Sequence, residues 1–87
     1  MKITILYRPD SEFARPVEEF ARDIERQQSV KPELISVETR EGASMAAMYD
    51  IVQYPTIMAL RDTGELLQFW SGEQLPLMNE VAAYANS

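Results

Sequence analysis

Residues 49–56, Tyr49-Asp50-Ile51-Val52-Gln53-Tyr54-Pro55-Thr56, are the stretch on which the fold turns. Pro55 has no backbone N–H and a fixed φ, so it opens a strand rather than sitting inside one. Downstream, 56–61 (TIMALR) reads as an apolar strand, Asp62-Thr63-Gly64 as a turn and 66–71 (LLQFWS) as a further strand. A connection this short forces an antiparallel hairpin. Gly72 ends it. A last helix is expected from Leu75 to about Asn86, with Leu77, Met78, Val81 and Tyr84 as its apolar members and Pro76 in its first turn.

Upstream, a short helix is expected over 43–50 (ASMAAMYD) and a strand over 33–38 (ELISVE). Before these, Phe13, Val17, Phe20, Ala21 and Ile24 form an apolar helical stripe, while Arg15, Glu18, Glu19, Arg22, Asp23, Glu25 and Arg26 occupy the opposite, solvated face. Ser11 is the expected N-cap, with Glu12 in the first turn. The first strand is 2–7 (KITILY), closed by Arg8-Pro9-Asp10. Strand, helix, strand in this order imply a right-handed parallel unit. The expected order is βαβαββα in one α/β domain over 1–87, with no repeat, linker or low-complexity segment.

Composition excludes much chemistry. The chain has 87 residues, no cysteine and no histidine. That removes disulfides, thiolate nucleophiles, cysteine-held iron–sulfur clusters, ordinary zinc sites and every relay built on histidine. No cofactor and no metal are expected. Net charge is −6, and residues 41–87 carry only Arg61 against six carboxylates. A surface of this sign repels phosphate backbones and anionic lipid, so neither nucleic acid nor a membrane is an expected partner. The apolar run at 3–7 is too short for a signal peptide, and none approaches the ~20 residues of a membrane span. A cytoplasmic location is expected.

Taken together, these residues resemble the thioredoxin superfamily. Its members carry Tyr-Gly-Ile-x-x-Ile-Pro-Thr where this chain has Tyr49 to Thr56, then an apolar strand, a turn ending here in Gly64-Glu65, a strand, a glycine and a terminal helix. Leu6-Tyr7-Arg8-Pro9-Asp10-Ser11 is similar to the glutaredoxin stretch Tyr-Ser-Lys-Pro-x-Cys. The resemblance implies a thioredoxin-like fold: a four-stranded mixed sheet flanked by three helices. It also implies a cis bond before Pro55. The departure lies at Ser11-Glu12-Phe13-Ala14, where the family's Cys-x-x-Cys falls and neither sulfur is present. Thiol–disulfide exchange needs an attacking thiolate, so the expectation is a redox-inactive relative and not an enzyme.

In thioredoxins the backbone before the matching proline borders the cysteines and pairs with an extended peptide. The resemblance therefore implies a protein- or peptide-binding rim made of Tyr54, Pro55, Arg8, Ser11 and Phe13. Arg8 and Arg15 flank the position of the missing cysteines and, with the open amides of the first helix, are candidates to hold an anion or a C-terminal carboxylate. Each has a plainer reading: Pro55 as the turn into a strand, Ser11 as a helix cap, Arg8 and Arg15 as solvated charges. Trp70 and Phe69 lie on the fourth strand, an edge strand, and point to opposite faces, so at most one faces the first and last helices; with Met45, Met48 and Met58 they are either core facing the short second helix or an interface. On the interface reading the chain is an assembly protein that self-associates, as a homodimer, through its edge strand or the uncovered sheet face. A third reading is a small-molecule binder of glutathione type, with Ser11 as hydrogen-bond donor. Asp50 stands where the family has glycine.

Overall fold

The computed structural model describes residues 1–72 and 74–86. Glu73, one of the acids counted in the second half, and Ser87 lie outside the described residues. The elements are β1 (Lys2–Tyr7), α1 (Ala14–Gln28), β2 (Glu33–Ser36), α2 (Arg40–Met48), β3 (Thr56–Leu60), β4 (Leu66–Ser71) and α3 (Met78–Ala85). This is the order expected from the sequence. The four strands form one sheet in the order β2-β1-β3-β4. β1 runs parallel to β2 and antiparallel to β3, and β3 pairs antiparallel with β4.

Alternation along the central strands divides the core between two faces. Ile3, Ile5 and Tyr7 of β1 join Ile57 and Ala59 of β3, Val17, Ala21 and Ile24 of α1, and Val81 and Ala82 of α3. On the other face Leu6, Met58 and Leu60 meet Ile35 and α2's Ala46. A two-turn helix covers less of a sheet than α1 and α3 together. The consequence shows on β4, where Phe69 shares the face of Met58 and is 47% exposed.

Helix starts differ from the sequence expectation for local reasons. Ser11 is not the cap of α1. Its hydroxyl donates to the Arg8 carbonyl at 2.8 Å and accepts the Phe13 N–H at 3.3 Å, closing a turn ahead of the helix. The helix begins after Phe13, so Glu12 falls in that turn and no acid occupies the first turn of α1. Pro16 is tolerated there because the first N–H groups of a helix lack intrahelical acceptors. α2 starts at Arg40, before Ala43, because Thr39 caps it: its Oγ1 accepts the Gly42 N–H at 3.0 Å. A Cβ on Gly42 would lie 1.9 Å from the Ser36 carbonyl oxygen, so only glycine lets α2 approach the end of β2 this closely. The same turn ends β2 at Ser36, short of Glu38. α3 starts at Met78, which leaves Pro76 before the helix rather than in its first turn.

Two expectations about the sheet faces are corrected. Trp70 does not face α2. It lies opposite Ile57 on the α1/α3 face, and its ring meets that of Tyr84 at 5.6 Å, edge to face. Met58 is fully buried under α2 and offers no surface. The uncovered aromatic is Phe69. Asp50, left without a role by the sequence, has φ +57°. A backbone in that region explains a glycine at the matching position of thioredoxins, and Asp is among the few other residues that adopt it readily.

Candidate functional site

Two stretches far apart in sequence line one cleft: Arg8, Ser11 and Phe13, joined by Tyr7, from one, and Tyr54 and Pro55 from the other. Its volume is about 270 Å³. The end of β1 supplies Tyr7 and Arg8. The turn held by Ser11 brings Phe13 to the first residue before α1, and the segment entering β3 supplies Tyr54 and Pro55.

The Pro55 wall is anchored on both sides. The Gly72 N–H donates to the Pro55 carbonyl at 3.0 Å, which extends the β3–β4 ladder by one pair. The Thr56 hydroxyl donates to the Gln53 carbonyl and lies 3.0 Å from the Ser71 hydroxyl. The Tyr54 hydroxyl donates to the Ile51 carbonyl at 3.3 Å. The Tyr54–Pro55 peptide bond is cis. Among the described residues the Tyr54 backbone N–H and carbonyl have no hydrogen-bond partner.

The cleft is aromatic with one cation at its mouth. The Arg8 guanidinium lies over the Tyr54 ring, 5.4 Å from its centre, and among the described residues no carboxylate pairs with it. Arg15, the other basic residue expected near this position, is exposed along α1 at 4.0 Å from Glu19 and does not line the cleft. The Tyr7 hydroxyl donates to the Glu18 carboxylate at 3.4 Å. Burial raises the Tyr7 pKa above its ordinary value, and the nearby Glu18 charge and this hydrogen bond raise it further.

The Ser11 hydroxyl is engaged with backbone, and the chain has no histidine or cysteine to activate it or replace it. Ala14, where the second cysteine of the family falls, is buried and inert. No group of three or more metal-ligating side chains occurs among the described residues. No described helix is long and apolar enough to cross a membrane. Tyr7 escaped the sequence reading because its position in β1 reads as core with Ile3 and Ile5. Its hydroxyl, next to Arg8, was the available signal.

A mixed four-stranded sheet in the order β2-β1-β3-β4, with two helices on one face and one on the other, is a thioredoxin-like fold. Among solved structures the chain is similar to thioredoxin 1 from the thermophilic eubacterium Thermosipho africanus TCF52B, with a TM-score of 0.69 over 99% of this chain and 91% of that one. Sequence identity is 17%, so the likeness is one of fold. No family model matches the chain, and no curated protein is similar to it in sequence. Without a cysteine, this chain has no thiolate for thiol–disulfide exchange.

Proposed function

We propose that the chain is a redox-inactive, non-enzymatic binding module that holds an extended segment of a protein or peptide in the cleft beside Tyr54 and Pro55. The observation that carries this reading is the unpaired backbone of Tyr54 at the wall of an aromatic cleft. A buried or half-buried backbone N–H and carbonyl normally find partners. An extended chain laid beside Tyr54 supplies both, as an added strand does at a sheet edge. Phe13, Tyr7 and Pro55 then contact an apolar side chain, and Arg8 favours an acidic group or C-terminal carboxylate at the mouth.

Peptides selected by display on the immobilised protein provide the test. Selected sequences should lose at least about tenfold in affinity when Tyr54 and Phe13 are both changed to Ala, the scale of one lost aromatic anchor. Unchanged affinity in a folded double variant would remove the cleft from the account. Insulin reduction should be blank with every variant.

Self-association is the second reading, favoured by the exposed Phe69 on edge strand β4. Light scattering at tens of micromolar separates it, since a single ~10 kDa species excludes it. A glutathione-type small ligand has no specific observation in its favour beyond the position of Ser11.

A further inference from the structure

The sheet has two free edges, and they are not equivalent. On β4, the Gly72 N–H bonded to the Pro55 carbonyl sets the alternation, so Trp70 and Gln68 turn their backbone groups to β3 and Phe69 turns its own outward. That outward N–H is already taken: it donates to the Gln68 side-chain carbonyl at 3.0 Å. At Phe69, then, this edge is capped from within.

β2 differs. The Val37 N–H donates to the Tyr7 carbonyl at 3.0 Å, which fixes the parallel register. Glu33 and Ile35 therefore turn their backbone groups to β1, while Leu34 and Ser36 turn theirs to the free edge. The Ser36 carbonyl is used by the Thr39 N–H and hydroxyl at 3.2 and 2.7 Å. The Leu34 N–H and carbonyl have no partner among the described residues, nor does the Ser36 N–H. The Leu34 side chain is 38% exposed, and no proline interrupts the strand. Edges in this state accept another strand.

A groove of about 320 Å³ runs along this edge, lined by Glu33, Leu34, Ile35, Ser36, Thr39 and Glu41. Its floor is the whole of β2 and its wall is the first turn of α2, held close by Gly42. The Ser36 and Thr39 hydroxyls are occupied by local backbone bonds. The two charged groups lining it are both carboxylates. Among the described residues Glu41 has no ion pair and Glu33 has only Lys2 at 3.9 Å, both members of that pair about half exposed. Lys31 and Arg40 flank the groove without lining it.

We propose that the β2 edge takes an extended, basic segment of a partner protein as an added antiparallel strand. Its central residue pairs with the Leu34 N–H and carbonyl and sets an apolar side chain beside Leu34. Its neighbours point to the opposite face, where lysine or arginine meets Glu33 and Glu41. The pattern is basic and apolar residues in alternation. It is independent of the cleft at Pro55, which lies at the entrance to β3.

The probe is a blocked ten-residue peptide of alternating lysine and valine, titrated into the isotopically labelled chain to about 1 mM, the range of weak strand addition. Amide shifts centred on Leu34 and Ser36 are expected, with slowed hydrogen exchange at the Leu34 N–H. Two matched peptides control for stickiness: glutamate in place of lysine, and N-methylation of the valines that face the edge. Each should weaken binding at least about tenfold, the scale of losing a charge pair or a hydrogen-bonded strand. So should E33K/E41K in the protein. Leu34→Pro removes the outward N–H and should abolish binding; if that variant does not fold, the N-methylated peptide carries the same test. Equal binding of the N-methylated peptide would overturn the proposal, as would shifts centred on Tyr54 or on β4, dimerisation at β2 without peptide binding, or no shift at all.

Discussion

The Arg8 guanidinium lies 5.4 Å from the centre of the Tyr54 ring, joining the end of β1 to the segment that enters β3. The two residues are 46 positions apart in sequence. Their contact sets the mouth of the cleft and holds a positive charge over an aromatic face. Exposed contacts of this type contribute about 0.5–1 kcal/mol. A double-mutant cycle on Arg8→Ala and Tyr54→Ala, read by urea unfolding, should return a coupling near the lower end of that range. Strict additivity would show that the two side chains do not interact in solution.

Ile5 is fully buried at the centre of β1, paired with Leu34 on one side and Ile57 on the other. Ile5→Ala should destabilise the chain by ~2–5 kcal/mol. Phe20 is half-buried against the same core, so Phe20→Ala should fall toward the lower end of that range. Midpoints of denaturant unfolding decide both, and native stability in Ile5→Ala would contradict its placement.

Asp50 is exposed with a left-handed backbone. Asp50→Gly should leave stability unchanged or raise it by up to ~1 kcal/mol, since strain relief is offset by the entropy of an unfolded glycine. Asp50→Val should lower it by ~1–2 kcal/mol, because a β-branched residue resists positive φ. Thermal melts of the two variants give the comparison. A valine variant as stable as the glycine one would contradict the backbone angle.

Tyr7 links stability to alkaline pH. Its hydroxyl titrates above the ordinary value of 10.0, chiefly through burial and then through Glu18. Above that value the unfolded chain loses the proton while the folded one keeps it. The folded state then binds more protons, so stability falls as pH rises from 10 through the raised native value. Below pH 9 this contribution is fully present. Tyr7→Phe should flatten that alkaline decline, measured by unfolding midpoints between pH 8 and about 11.5. An equally steep decline in the variant would show that another group causes it.

The sheet was legible because its strands are apolar and bounded by turn residues. KITILY and LLQFWS are read with their observed limits, and TIMAL differs only by Arg61. The joint order of Tyr49 to Thr56, Gly64 and Gly72 carried the topology. Helix starts were less legible, since Ser11 and Thr39 carry the same hydroxyl chemistry and only three-dimensional context decides which one caps a helix. The faces of β4 stay open for a similar reason: adjacent Phe69 and Trp70 must point apart, but the sequence does not say which way. The cleft residues were legible from the resemblance alone. The edge groups of Leu34 were not, because every strand has them and only sheet order leaves them unpaired.

The most direct measurement is amide shift mapping of the labelled chain with a display-selected peptide. The largest shifts should fall at Tyr54, Arg8 and Phe13, with protection of the Tyr54 N–H from exchange, and should vanish in the folded Tyr54→Ala, Phe13→Ala variant. Shifts that leave Tyr54 unmoved, or that persist in the variant, would contradict the binding cleft.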